Sequence, residues 1–168
     1  MNPKLYILCI EDEPEVLDAI TRDLAEFESH FQLEALASAE EAKALIETLS
    51  PEEERIALIL CDHVMPGQRG IDLLIELEKS ESPALKHSRK VLFTGQAGHE
   101  DTIEAINRGG IDHYLAKPWH PEKLADIVRD QLTTFVIRAR LDALPFMSTL
   151  NSDELTDYLR KHQTMSDV

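Results

Sequence analysis

Four apolar runs that never alternate with polar residues constrain this chain most: "LYILCI" (Leu5–Ile10), "IALILC" (Ile56–Cys61), "VLF" (Val91–Phe93) and "YLA" (Tyr114–Ala116). A strand with one wet face alternates apolar and polar side chains. An unbroken run needs cover on both faces, as in a parallel sheet enclosed by helices. One more segment, "FQLEA" (Phe31–Ala35), does alternate and suits an edge strand.

Helical patterns fill the intervals. Pro14 stands where a first helical turn tolerates it, and Leu17, Ile20, Leu24 and Phe27 form a stripe. Ser38 with Glu41 reads as a capping box ahead of Ala42, Leu45, Ile46 and Leu49. Ile71, Leu74 and Leu77 follow Gly70; Ile103 and Ile106 mark a short, poorly apolar fourth helix that stops at Gly109-Gly110. Pro121 opens a fifth, with Leu124, Ile127, Val128, Leu132 and Phe135 inward. Strand then helix, five times at a period of roughly 25 to 30 residues, predicts a doubly wound α/β fold with a central parallel sheet and helices on both faces.

The totals bound the rest. With 168 residues, 43% of them hydrophobic, the chain suits one compact domain and a short appendage. A net charge of −15 argues against a nucleic-acid surface, which needs Lys and Arg to displace counterions. That charge serves solubility or the choice of basic partners; composition leaves both open. Cys9 and Cys61 each lie inside an apolar run without C-x-x-C spacing, so they read as small buried thiols in a reducing cytoplasm. No secretory signal opens the chain and no run approaches the ~20 apolar residues of a membrane helix, so the expectation is a cytoplasmic protein with no membrane contact.

In doubly wound sheets ligands bind beyond the carboxyl ends of the strands. Glu11 and Asp12 follow the first run, Asp62 the third, Thr94 and Gly95 close the fourth, and Lys117-Pro118 follows the fifth; the edge strand offers only Ser38. Carboxylates gathered this way repel one another unless a cation intervenes, and Mg²⁺, with its preference for oxygen ligands, is the natural candidate. A lysine added to such a cluster points to a further anion, most simply a phosphoryl group. Thr94 supplies a hydroxyl donor to it, Gly95 lets the backbone approach, and Asp62 is placed to be the nucleophile that becomes an acyl phosphate. Helix capping accounts for a lone Asp12 and solvation for a lone Lys117, but neither predicts the whole set.

At these residues the sequence resembles the receiver domain of two-component response regulators. "CIEDEP" is similar to the family's paired-acid signature, "CDHVMPGQRGIDLL" to its phosphoacceptor signature, "LFTG" to the switch threonine, and "YLAKPW" to the switch aromatic with its Lys-Pro pair. The resemblance implies a flavodoxin-like five-stranded sheet of order 2-1-3-4-5 and a receiver domain over 3–138. It implies that a sensor histidine kinase phosphorylates Asp62, and that Asp12, Asp62 and the main-chain carbonyl of Val64 bind Mg²⁺ directly, with Glu11 acting through a water. Lys117 would contact the phosphoryl group, Thr94 would move to meet it, and Tyr114 would swing in behind. Lys117–Pro118 would be a cis peptide. The implied output is a changed surface on the fourth helix, fifth strand and fifth helix that controls a partner or output domain.

Glu11 stands where the family most often has Asp; it is longer but adequate through a water. Val64 and Gln96 flank the path of attacking water, and an apolar Val64 predicts slow autodephosphorylation. The segment "EAINRGGIDHYLAKPW" also resembles receivers whose long fifth helix leads to another domain, often a cyclic-di-GMP phosphodiesterase. The apolar pattern continues through Val136, Ile137, Ala139 and Leu141, which predicts a protruding helix that pairs with a second copy or leads to an output module, against the alternative of an over-long packed helix. Residues 139–168 then form a helical extension or linker, with a short helix capped at Ser152 that carries Leu155 and Leu159 on one face; the sequence leaves open whether this tail is a linker, a docking helix or a stub. The competing reading is a Mg²⁺-dependent phosphohydrolase with an Asp nucleophile. Such enzymes carry D-x-D after the first strand, where this chain has Glu11-Asp12-Glu13.

Overall fold

The computed structural model describes residues 2–95, 108 and 110–166. Five parallel strands, β1 (Lys4–Ile10), β2 (Gln32–Leu36), β3 (Glu54–Asp62), β4 (Arg89–Thr94) and β5 (His113–Ala116), lie in the order β2-β1-β3-β4-β5. The helices are α1 (Pro14–Asp23), α2 (Ala39–Thr48), α3 (Gly70–Glu78), α4 (Pro121–Arg138) and α5 (Ser152–Ser166). The fourth helix expected around Ile103 and Ile106 lies outside the described residues, so α4 is the helix expected as the fifth.

The unbroken apolar runs are explained by two cores, one on each side of the sheet. Leu5, Ile7 and Cys9 of β1, with Leu58 and Leu60 of β3, face Ile20 of α1 and Leu124, Val128 and Leu132 of α4. Tyr6, Leu8 and Ile10, with Ile59 and Cys61, face Ala42 and Ile46 of α2 and Ile71 and Leu74 of α3. Successive residues of a strand point to opposite faces, so both parities must be apolar. β2 is an edge strand, with only Leu36 fully buried. Burial pushes the Cys9 thiol up to about 12 and that of Cys61 higher still.

Local signals set the helix ends. Ser38 caps α2 by accepting from the Glu41 N–H at 3.1 Å, while the Glu41 carboxylate accepts from the Ala37 N–H at 2.6 Å, one residue earlier than the usual reciprocal bond. Pro14 and Pro121 occupy the first turns of α1 and α4. The stripe begun in α1 continues into a 3₁₀ turn, Ala25–Ser29, which buries Phe27.

The end of α4 departs from expectation. The helix stops at Arg138, and Arg140 takes a left-handed φ of 55° as the Leu141 N–H bonds back to the Val136 carbonyl at 3.1 Å. The chain then folds onto its own domain instead of protruding. Ala143, Phe146, Leu150 and Leu155 join the core shared by α1 and α4, and Val136, Ile137, Ala139 and Leu141 are spent in this docking. Phe146 packs on Phe31 at 5.6 Å between ring centroids, and Asn151 donates to Asp130 at 2.8 Å ahead of α5. Asn2 donates to the Asp142 carbonyl at 3.1 Å and accepts from its N–H at 3.0 Å, fastening the start of the chain to the start of the tail.

Candidate functional site

The carboxyl ends of β1, β3, β4 and β5 meet in one cluster. Glu11 and Asp12 follow β1, Asp62 is the last residue of β3, Thr94 the last of β4, and Lys117 follows β5. Ligand oxygens of Glu11, Asp12 and Asp62 all lie within 4.8 Å of one another. Lys117 Nζ sits 2.8 Å from Glu11 Oε2 and 2.8 Å from Asp62 Oδ1. Glu11 is wholly buried and Asp62 nearly so, whereas Asp12 stands half-exposed at the rim.

Burial pushes the Glu11 carboxyl above its ordinary range, and Asp62 adds to this; the bonds from Lys117 and from the Glu13 N–H oppose it. For Lys117, burial pulls the ammonium down, but its bonds to Asp62 and Glu11 outweigh that and leave its pKa raised. The site therefore concentrates negative charge at buried oxygens and holds one ammonium between them. Such a donor set fits a hard divalent cation and a further anion.

Backbone bonds hold this geometry. The Lys117 N–H donates to the Thr94 carbonyl at 2.9 Å, and the His63 N–H to the Phe93 carbonyl at 2.9 Å, which locks the strand ends together. Beyond Asp62 the chain turns at Gly67, at φ +87°, and re-enters as α3 where the Gly70 N–H meets the His63 carbonyl at 2.8 Å. A Cβ at Gly70 would lie 2.0 Å from the Asp62 carbonyl oxygen, so only glycine lets α3 start this close to the cluster. Lys117–Pro118 is cis.

The other expected residues fall around the cluster. The Thr94 hydroxyl is buried and has no hydrogen-bond partner among the described residues, and the same holds for the hydroxyl of half-buried Tyr114. Gly95 is exposed, and no described residue lies within 4 Å of where a Cβ would go. Val64 is 71% exposed on the loop after Asp62. Gln96 lies outside the described residues. Two neighbours were not anticipated. Trp119 stacks on Phe93 at 5.1 Å and backs the segment that carries Lys117. His63 is buried next to Asp62, where its place in an apolar strand's continuation was the only clue.

Among known proteins, the model of the response regulator receiver domain matches residues 7–129. The hydrogenase transcriptional regulatory protein HoxA of Cupriavidus necator is 33% identical over 123 residues, which is 73% of this chain and 23% of that protein. The transcriptional regulatory protein DpiA of Escherichia coli K12 is 29% identical over 156 residues, 92% of this chain and 63% of the relative. The chain thus spans from about a quarter to under two thirds of these relatives. Among solved structures, the response regulator receiver domain protein (CheY-like) of Methanospirillum hungatei superposes with a TM-score of 0.66 at 29% identity, covering 80% of this chain and 97% of that one.

Proposed function

The chain belongs to the response regulator receiver family, and from that premise we propose that Asp62 is its phosphoacceptor. Receiver domains are switches in two-component signalling, not enzymes that turn over a substrate, so the hydrolase reading loses its ground. The observation that carries the assignment is the Lys117 ammonium, 2.8 Å from both the Asp62 and Glu11 carboxylates, with Asp12 within reach at the rim.

An Asp62 carboxylate oxygen attacks the phosphorus of a histidine kinase's phosphohistidine. The new O–P bond forms as the N–P bond breaks, and the departing imidazole keeps that electron pair and takes a proton. Asp12, Asp62 and the Val64 carbonyl would hold Mg²⁺ directly, and Glu11 through a water. When bound, the ion neutralises charge between the carboxylates and the phosphoryl oxygens. Lys117 already faces Asp62 and supplies its ammonium to the transferred group. The buried Thr94 hydroxyl, without a partner among the described residues, gains one in a phosphoryl oxygen, and Gly95 lets the backbone approach beside it. Displacement of Thr94 opens room for Tyr114, and the change spreads to β5 and α4. Apolar Val64, open to solvent, offers no hydrogen bond to an attacking water, so autodephosphorylation is slow.

In this reading the receiver spans 3–138, with 139–168 as an appended helical segment. The chain acts in the cytoplasm, and its partners are a sensor histidine kinase and a downstream output, with pairing of copies through the β5–α4 face as one form that output takes. No described helix is long and apolar enough to cross a membrane. Incubation with Mg²⁺ and acetyl phosphate, read by intact mass, is expected to add one phosphoryl group to the wild type and none to Asp62→Ala. Equal labelling of both would place the acceptor elsewhere.

A further inference from the structure

At the rim of the sheet opposite the phosphoryl site, a cavity of about 740 Å³ opens between the end of α3, the start of β4, the start of β5 and the end of α4. Its walls gather Lys86, His87, Arg89, Lys90 and Arg138 on a chain whose net charge is −15.

Two of these cations are already engaged. Lys90 is buried and paired with Glu78 at 2.6 Å; Arg89 pairs with Asp112 at 3.1 Å and donates to Gln131 at 2.9 Å. Lys86 and Arg138, both exposed, form no ion pair among the described residues. Arg55, one residue into β3 and outside the wall itself, likewise has no ion pair, and its Nε no hydrogen-bond partner, among the described residues. His87 has its proton affinity lowered first by burial and then by the positive charges of Lys86, Arg55 and Arg138. His87 itself holds a left-handed φ of 66°, a backbone state that persists in non-glycine residues mainly where the surroundings require it.

Crowded like charges destabilise the fold unless a counter-charge arrives. Glu78 and Asp112 are occupied by Lys90 and Arg89, which leaves Glu81 as the remaining carboxylate on the wall. We propose that this cavity binds a small polyanion with at least two linked phosphoryl groups, free or carried on a nucleoside, through Lys86 and Arg138 on its wall. Its volume falls within the ~300–1,000 Å³ of small-molecule sites. Guanidinium groups match phosphoryl oxygens two at a time. Leu77, Leu85 and Ile111 supply an apolar wall.

The test is calorimetric titration of the full chain with sodium pyrophosphate and, separately, with ADP, in EDTA so that no divalent metal occupies the acidic cluster. The expected result is saturable one-to-one binding that weakens as salt is raised. Lys86→Gln/Arg138→Gln weakens it about tenfold or more, while acetyl phosphate labelling of Asp62 is unchanged. Both side chains are exposed, so the variant removes charge without touching the core, and each single variant carries the test if the double variant fails to fold. Tighter binding of ADP assigns a nucleoside-borne ligand; equal binding assigns the diphosphate alone. Absence of binding at millimolar ligand, binding indifferent to these variants, or binding lost on Lys117→Gln overturns the proposal. So does self-association that needs Lys86 and Arg138 while neither ligand binds.

Discussion

Gly70 and Tyr6 show how single residues set what the site and the fold tolerate. Gly70→Ala would drive its methyl group into the main-chain carbonyl of Asp62, with His63 Cα also at 2.9 Å. The expected loss is about 1 to 3 kcal/mol in urea unfolding, together with weaker acetyl phosphate labelling, because the loop behind the acceptor must shift. Tyr6 is pushed up to about 12, first by burial and then by the Glu54 carboxylate, to which its hydroxyl donates. Between an ordinary phenol's pKa of about 10 and that value, the unfolded chain releases this proton and the folded chain keeps it, so stability falls as pH rises. Urea midpoints at about pH 9 and about pH 11 should show that fall in the wild type and a shallower one in Tyr6→Phe. The sequence placed Asp12, Asp62, Thr94 and Lys117 at strand ends because each lies within two residues of the end of an apolar run. It did not reveal that one ammonium would bridge Glu11 and Asp62, since 106 residues separate Lys117 from Glu11 and only strand order brings them together.

At the level of elements, the strands were legible in their apolar centres and illegible at their amino ends. β3 starts at Glu54 and β4 at Arg89, earlier than the runs Ile56–Cys61 and Val91–Phe93 suggest. Charged residues look like loop, yet Lys90 is buried because α3 offers Glu78 across from it. The end of α4, expected to protrude, was misjudged for a similar reason. Neither glycine nor proline marks the stop after Arg138, and a left-handed Arg140 leaves no pattern in a sequence. Phe146 is the anchor of that tail, nearly fully buried against Phe31 and His30. Phe146→Ala should cost about 3 kcal/mol in urea unfolding and make the segment after Arg138 sensitive to a protease that spares the wild type. Unchanged stability would show that the tail docks without contributing to the core.

Across the whole molecule, the sheet separates two kinds of charge. Carboxylates collect at one rim around Lys117, and cations collect at the other around His87, where Lys86 and Arg138 have no ion pair among the described residues. A cation that binds only the folded chain stabilises it by mass action, about 2.7 kcal/mol at a hundredfold excess over its dissociation constant. Mg²⁺ should therefore raise the thermal midpoint of the wild type, EDTA should reverse the rise, and Asp12→Asn should abolish it. A rise of equal size in that variant would place the ion away from the acidic rim.

The bonds between Asn2 and Asp142 have one more consequence. They clasp residue 2 to the turn that carries the chain from α4 into its docked tail. Tension applied at residue 2 is therefore borne first by this clasp and passed to the tail, before any strand pairing of β1 is loaded.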